Sequence, residues 1–455
     1  MNEVFRKYLE EAIGSDKALV AFSAFQNPAT VSVRLNPFKK GCSFEGRRVP
    51  WNSHGILLEE RPLFTLDPMF HAGAYYVQDS SSMFVGHLFR KVLAGIEIPK
   101  DRPLRVLDLC AAPGGKTTDL VASLREACGN NFVLVANEVM KARVGILADN
   151  VALWGDPNVV VTSDDPRSFS MFAGFFDIVL ADVPCSGEGM FRKDEQAMKQ
   201  WSEDNVALCE ARQRRILADV WPALSTGGIL IYSTCTFNVY ENDGNVRWAA
   251  GQLGATILPD EMEENGVIRT GCGYSLVPGF VDGEGQYCAA LKKTSVAEPM
   301  LMRSSKAVGA CNMPCLTGLD HLFLTDMRFS TKGDTITAVP SAIAAETEVL
   351  RRNLHVVAAG CAVGVRKGDV LVPDADMALS IMFDKSVYPM ADVDLRTALA
   401  FLHRDAIILS DVEKGYVSIC YKGLPLGFVK NLGNRCNSLH PQSRRIRMNI
   451  PNELL

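Results

Sequence analysis

The 455-residue chain lacks several features that would have settled its class at once. No apolar run approaches the ~18 residues that a membrane-spanning helix needs. The opening segment, MNEVFRKYLEEAIG, is amphipathic and carries acids where a secretion signal has an apolar stretch. The expected location is the cytoplasm, with no membrane partner. No C-x-x-C pair occurs among the 13 cysteines. The closest pair, Cys311 and Cys315 in CNMPC, has no second half, so no metal site is expected. An odd, scattered set of cysteines reads as free thiols in a reducing compartment. Positive charge is not in excess either: 47 basic against 52 acidic residues leave a net charge of −5. That excludes a uniformly basic nucleic-acid binder. Internal repeats and low-complexity tracts are absent.

What is present is an ordinary globular composition, 47% hydrophobic and 22% charged, and enough chain for two to four domains. Residues 1–95 open with helical periodicity (Val4, Phe5, Tyr8, Leu9, Ala12, Ile13). A short strand follows, TVSVRLNP (30–37), with Arg34 and Asn36 among its polar members. A helix is expected to begin near Ser80, Ser81 or Ser82, one of which would cap it. Residues 96–295 alternate apolar, β-branched runs with amphipathic stretches. LRVLDL (104–109), FVLVAN (132–137), NVVVTS (158–163), FDIVLAD (176–182) and GGILIYST (227–234) are the strands expected of a parallel, doubly wound α/β sheet. Residues 296–375 read as a linker and an intermediate strand-rich domain. Residues 376–455 hold one helical pattern, DLRTALAFLH, and short strands broken by turns. Between Lys414 and Arg447 stand seven basic residues (Lys414, Lys422, Lys430, Arg435, Arg444, Arg445, Arg447) and no acidic one. Such a face suits phosphate contact or plain solvation equally.

In doubly wound sheets, ligands bind outside the carboxyl ends of the strands. The first strand runs into DLCAAPGGKTTDL (108–120). A nucleotide-triphosphate loop would need glycine at Cys110, and the dinucleotide fingerprint is absent. A glycine-rich loop for S-adenosylmethionine suits the residues better, with Gly114 and Gly115 admitting the ligand and the next helix offering free N–H groups. Glu138, ending the second strand, stands at the distance where an acid reaches a ribose hydroxyl, and Arg143 follows it. Asp165, after the third strand, is placed either at an adenine amino group or as an N-cap before Pro166. The fourth strand ends in DVPCSGEGMFRKD and the fifth in Ser233-Thr234-Cys235. Neighbouring strands lie ~5 Å apart, so Cys185 and Cys235 are expected to share a pocket with Asp182. One carboxyl group and two thiols meet the needs of methylating carbon 5 of cytosine. A thiolate adds at carbon 6, carbon 5 becomes nucleophilic, and a base then removes the carbon 5 proton.

DLCAAPGGKTTDL, NEVMKAR, ADVPCSGEGMFRKDE and YSTCTF resemble the Sun/Fmu (NSUN) family of RNA cytosine-5 methyltransferases. The extended tail is similar to the RsmF-like branch, which modifies 16S ribosomal RNA of the small subunit. The resemblance implies a Rossmann-like methyltransferase core at 96–295, a small N-terminal α+β RNA-binding domain at 1–95 and a PUA-like RNA-binding module at 376–455. It implies Cys235 as nucleophile, Cys185 as the group assisting product release, and Asp182 at the base. It implies S-adenosylmethionine held by Cys110, Ala111, Ala112, Pro113, Gly114, Gly115, Lys116, Glu138, Arg143, Asp165 and Asp182. Lys193, in FRKD, would meet RNA phosphate or stand free on the surface. Arg444-Arg445 occupies the place where the resemblance implies an aromatic residue. The expected enzyme is a monomer acting on ribosomal RNA or the small subunit. A tRNA methyltransferase with the same chemistry and a catalytically silent RNA-binding assembly factor remain the alternatives.

Overall fold

The computed structural model describes residues 3–258, 262–296 and 318–451; Cys311, Cys315 and most of the 296–320 boundary lie outside them. The expected N-terminal periodicity forms α1 (Glu3–Ile13), which buries Phe5, Leu9 and Ile13, followed by α2 (Ser15–Ala24). A four-stranded sheet in the order β2-β3-β1-β4 follows, built from β1 (Val31–Leu35), β2 (Arg47–Val49), β3 (Asn52–Leu58) and β4 (Tyr75–Val77). The short α3 (Pro68–His71) precedes β4, and α4 (Ser80–Ala94) follows it. The cap of α4 is not one of its serines. Asp79 accepts from the N–H groups of Ser81 and Ser82, because a carboxylate one residue earlier meets both orphan donors at once.

The core elements are β5 (Leu104–Asp108), α5 (Gly115–Cys128), β6 (Phe132–Asn137), α6 (Lys141–Trp154), β7 (Val159–Thr162), β8 (Phe176–Asp182), α7 (Glu195–Gln200), α8 (Glu203–Val220), β9 (Leu224–Thr234) and α9 (Asn245–Leu253). The short β10 (Ala255–Ile257), β11 (Ile268–Arg269) and β12 (Tyr274–Leu276) lead to β13 (Gln286–Lys293). The central order is β7-β6-β5-β8-β9, all parallel, with β13 antiparallel beside β9. The chain winds outward from β5 on one side, then returns to start β8 on the other. The switch point therefore falls between β5 and β8, the place where folds of this kind form their ligand crevice. One face of the sheet packs on α4, α5 and α6 through residues such as Phe84, Leu120 and Leu147; the other packs on α8 and α9 through Ile216, Leu217 and Val246.

The intermediate segment contains β14 (Met327–Lys332), β15 (Thr335–Pro340), α10 (Ala344–Asn353), β16 (Val356–Ala359), β17 (Cys361–Lys367) and β18 (Val370–Pro373). Four of its strands make their own sheet, β14-β15-β17-β18, as the strand-rich reading expects. However, β16 pairs antiparallel with β7 and joins the ten-stranded central sheet. All four residues of β7 are buried, and an open edge there would invite foreign pairing, so β16 covers it. The helix α10 was not expected; its Leu350 joins the catalytic core.

The last module has α11 (Ala375–Leu379), β19 (Met390–Asp392), α12 (Leu395–His403), β20 (Gly415–Tyr421), β21 (Leu424–Asn431) and β22 (Cys436–Ser438). Its core is continuous with that of the N-terminal sheet: Val33, Ile56 and Tyr75 pack with Phe401, Ile419 and Leu426. Arg444 leaves the expected basic face. It pairs with Asp149 of α6 at 2.9 Å and with Asp376 of α11, and its side chain is 12% exposed. Among the described residues no helix is long and apolar enough to cross a membrane.

Candidate active site

The loop after β5 is the first wall of the crevice. Gly114 adopts φ 109°, a left-handed conformation that glycine enters without penalty, and a side chain there would come within 3.3 Å of Leu147. No side chain caps α5, so its first N–H groups stay available. Residues 110–116 thus form one turn whose backbone faces the switch point. Cys110 is not a reactive member of it: burial, reinforced by Asp108 and Asp182, pushes its thiol well above the ordinary range. Ala111 N–H donates to the carbonyl of Asn137 at 2.8 Å. Buried Asn137 then ties three strand ends together. Its Nδ2 donates to the carbonyls of Leu109 (3.1 Å) and Asp164 (2.9 Å), and its Oδ1 accepts from Thr162 Oγ1 (2.9 Å). The sequence reading passed it over; its signal was a polar residue closing the apolar run FVLVAN.

Glu138 sits beside this turn. Its Oε1 accepts from Met140 N–H at 2.8 Å, and its Oε2 lies 3.5 Å from Arg143. Arg143 also donates to the carbonyl of Ala112, which joins the second strand end to the glycine loop. Asp165 is half-exposed and caps the turn Pro166–Met171 by accepting from Arg167 N–H at 3.0 Å. Of its two expected placements, the capping one is observed. Asp108 lies at the floor, fully buried. Its Oδ2 accepts from Thr117 Oγ1 at 2.7 Å, while its Oδ1 has no partner. Burial raises its pKa to about 7. An unpartnered buried acceptor, an uncapped helix start, a glycine turn and the Glu138 carboxylate together fit a ligand bearing amino, carboxylate and ribose groups.

The opposite wall is formed by the ends of β8 and β9. Their parallel register sets Asp182 against Ser233. Both chains leave the sheet in the same direction, and Cys185 and Cys235 meet with their sulfurs 3.1 Å apart and partly exposed. Cys185 feels Cys235 first and burial second, and both push its thiol well above the ordinary range. Asp182 accepts from Ser233 Oγ (2.9 Å) and Gln286 Nε2 (3.3 Å), and its other oxygen lies 2.9 Å from Lys116 Nζ. Burial alone would lower the Lys116 ammonium, but Asp182 outweighs it and the net shift is upward. Lys116, expected among the cofactor contacts, thus bridges the glycine loop and the cysteine wall.

Two buried carboxylates hold the cysteine loops, and neither was singled out from sequence. Glu188 accepts from Trp201 Nε1 (3.0 Å), Asn238 Nδ2 (2.9 Å) and the N–H groups of Phe237 (2.6 Å) and Asn238 (3.1 Å). Glu241 accepts from Ser186 N–H (3.0 Å), Gln213 Nε2 (2.7 Å) and Asn238 Nδ2 (2.8 Å), and burial raises its pKa. Each ties a segment just after one cysteine to the segment just after the other. Lys193 lies 3.5 Å from Asp79 on a partly exposed surface. Among the described residues no cluster of metal-ligating side chains occurs.

Three families of known sequences match successive parts of the chain. The N-terminal domain of 16S rRNA methyltransferase RsmF matches residues 1–80, 16S rRNA methyltransferase RsmB/F matches 98–292, and the methyltransferase RsmF PUA domain matches 390–446. A ribosomal RNA small subunit methyltransferase F from Serratia proteamaculans is 30% identical over 467 residues, covering 95% of this chain and 92% of its own length. Its counterpart from an Enterobacter species is 29% identical over 473 residues, covering 96% and 94%. A crystal structure of a methyltransferase homolog protein from Pyrococcus horikoshii superposes with a TM-score of 0.54 at 26% identity, over 64% of this chain and 95% of that one.

Proposed function

Because the chain belongs to the RsmB/F family of 16S rRNA methyltransferases, we propose that it methylates carbon 5 of a cytosine in 16S ribosomal RNA through a covalent adduct at Cys235. The observation that carries this reading is the Cys185–Cys235 pair at 3.1 Å, beside Asp182 and the glycine loop.

Cys235 Sγ adds to carbon 6 of the ring and forms the S–C bond. The electrons of the carbon 5–carbon 6 double bond shift toward nitrogen 3, which takes up the proton that Cys235 gives up, and the Asp182 carboxylate, fixed by Lys116, Ser233 and Gln286, accepts from that new N–H and stabilises the adduct. Residues 110–116, Glu138, Arg143 and the Asp108 floor would hold S-adenosylmethionine, which would supply the electrophilic methyl group as its methyl–sulfur bond breaks to leave a neutral thioether. Carbon 5, now enamine-like, takes that methyl. The largest cause of the raised Cys185 pKa is Cys235 itself. Once Cys235 is a thioether, that cause is gone and the Cys185 thiol is easier to ionise, although burial still opposes it. Cys185, its own proton released to solvent at its partly exposed sulfur, then takes the carbon 5 proton as the Cys235–carbon 6 bond breaks. The PUA-like module contributes RNA contacts through the exposed Lys414, Lys422, Lys430, Arg435 and Arg447.

The test is a pair of variants on ribosomal RNA. Cys235→Ala should abolish methylation. Cys185→Ala should accumulate a protein–RNA adduct stable to denaturant, since addition proceeds while release stalls. A Cys185→Ala protein that turns over normally and leaves no adduct overturns the assignment.

A further inference from the structure

The strand TVSVRLNP contains a buried arginine that the chemistry above leaves unused. Arg34 is 1% exposed, and its guanidinium crosses from the N-terminal sheet into the first turn of α5. Its Nη2 donates to the carbonyl of Gly115 (3.1 Å) and to Thr118 Oγ1 (2.5 Å), and its Nη1 reaches the carbonyl of Thr118 at 3.4 Å. Its Nε donates to Gln78 Oε1 at 2.7 Å, and the guanidinium lies 4.6 Å from the Trp154 ring centre. Gln78 and Tyr76 come from the same sheet. Tyr76 OH donates to the carbonyl of Pro113 at 3.1 Å, and Asn150 of α6 donates to that carbonyl at 2.8 Å. The Tyr76 ring would lie 3.3 Å from a side chain placed on Gly115. Contacts from residues 34 and 76 therefore bracket the glycine loop at Pro113, Gly115 and Thr118.

We infer that Arg34 and Tyr76 are positioning residues that set the affinity of the glycine loop for the methyl donor. Glycines give this loop its shape and also leave it free to move. Within the loop, Thr118 Oγ1 reaches the carbonyls of Gly114 and Gly115, and Arg34 in turn holds that hydroxyl. Its guanidinium is a planar cation whose fork meets two carbonyls and a hydroxyl at fixed angles. Its charge lies behind the open N–H end of α5, where it adds to the field that favours an anionic group. The buried Asp119 of α5, 3.9 Å from Arg34 Nε, balances its charge, while the Nη fork is aimed at the first turn of α5. Asn36 and Lys39 already fasten the same interface away from the loop, through the carbonyls of Gly73, Trp154, Ala72 and Leu153.

This inference rests on the donor site proposed above, and the test separates the two. The full chain is compared with Arg34→Lys, Tyr76→Phe and Asn36→Ala by calorimetry with S-adenosylmethionine and by hydrogen exchange of the ligand-free protein. Arg34→Lys keeps the charge and loses the fork; it should weaken donor binding about tenfold, and Tyr76→Phe about threefold. Both should speed exchange of the amides of 114–118, with turnover at saturating donor changed far less than donor affinity. Asn36→Ala loosens the interface elsewhere and should leave donor affinity within about twofold. Equal affinity in Arg34→Lys and Tyr76→Phe, or an equal loss in Asn36→Ala, overturns the positioning role. Failure of the parent to bind the donor overturns the donor site instead. The exchange of 114–118 still decides whether Arg34 orders the loop: unchanged exchange in Arg34→Lys sinks the inference by itself.

Discussion

Glu188→Gln is the sharpest test of how the thiol pair is held in place. The two side chains are nearly isosteric, so the change leaves no cavity. What changes is the sign of one hydrogen bond pattern. Oε1 accepts from Trp201 Nε1 and Asn238 Nδ2, and Oε2 accepts from the N–H groups of Phe237 and Asn238. Whichever way the amide is turned, its NH₂ group faces two donors. Two hydrogen bonds to a charged acceptor are lost, at about 1.5–3 kcal/mol each, and no water reaches this fully buried site to replace them. The local cost is therefore about 3–6 kcal/mol. A chain of several domains does not unfold in one step, so a single melting curve is a poor gauge. Native-state hydrogen exchange is better, because it reads local opening. Amides of 186–191 and 236–238 should exchange at least about a hundredfold faster, since each 1.4 kcal/mol is a factor of ten. Methylation should fall in parallel, as Cys235 stands two residues before Phe237. If exchange there changes by less than about threefold while methylation is lost, Glu188 acts on the reaction by some other route and the loop-holding argument is wrong.

Further outcomes follow from the same geometry. Arg444→Gln breaks the contacts with Asp149 and Asp376, so it should lower thermal stability; because that guanidinium is already paired, the salt dependence of RNA binding should stay unchanged. Lys430→Gln, on the exposed face, should do the reverse and reduce the slope of log affinity against log salt by about 0.7–0.9. Equal slopes for Lys430→Gln and the parent would remove that face from the RNA interface. Asp108 has a folded pKa of about 7, above its ordinary range, so between about pH 4 and 7 the folded protein keeps a proton that the unfolded chain has released. That contribution to stability is present at low pH and lost as pH rises through 7. Asp108→Asn stays neutral, so the melting temperature of the parent relative to this variant should fall between pH 5 and 7.5; a flat difference would show that Asp108 titrates normally.

The parallel core was legible because it is written in runs. VVVT, FVLVAN and FDIVLAD are continuous apolar segments, and a strand buried on both faces needs nothing from distant residues to be recognised. The meeting of Cys185 and Cys235 was legible for the same reason: each ends a strand, and adjacent parallel strands deliver their loops to one edge. The residues that hold these groups were not legible. Asn137, Glu188, Glu241 and Arg34 look like ordinary polar residues in sequence, and their meaning lies in partners 25 to 84 positions away. The placement of β16 failed for a related reason. HVVAAG reads as a strand, but only the exposed edge of β7 decides which sheet it joins. Asp79 was missed as a cap because three serines in a row outweighed the acid before them.

The two walls of the crevice are braced from the same end of the chain, and that bears on why residues 1–95 are part of this enzyme. The glycine loop leans on Arg34 and Tyr76. The cysteine wall leans on α1 and the residue that ends α2: Phe5 packs edge-on against Phe191 and Phe25 tilted against Phe237, the residues flanking the thiol loops. Between the walls, Thr30 donates twice to Glu284, which Arg192 grips with two nitrogens, so the connection from α2 to β1 is fixed to the segment that leads into β13 and Gln286. Gln286 in turn touches Asp182. A displacement of the N-terminal sheet thus reaches the methyl-donor loop, and a displacement of α1 and α2 reaches the sulfurs. An RNA strand that bore on the N-terminal domain would press on both at once. Donor affinity and thiol geometry should then respond together to RNA binding, as two sites do when one bistable interface biases both.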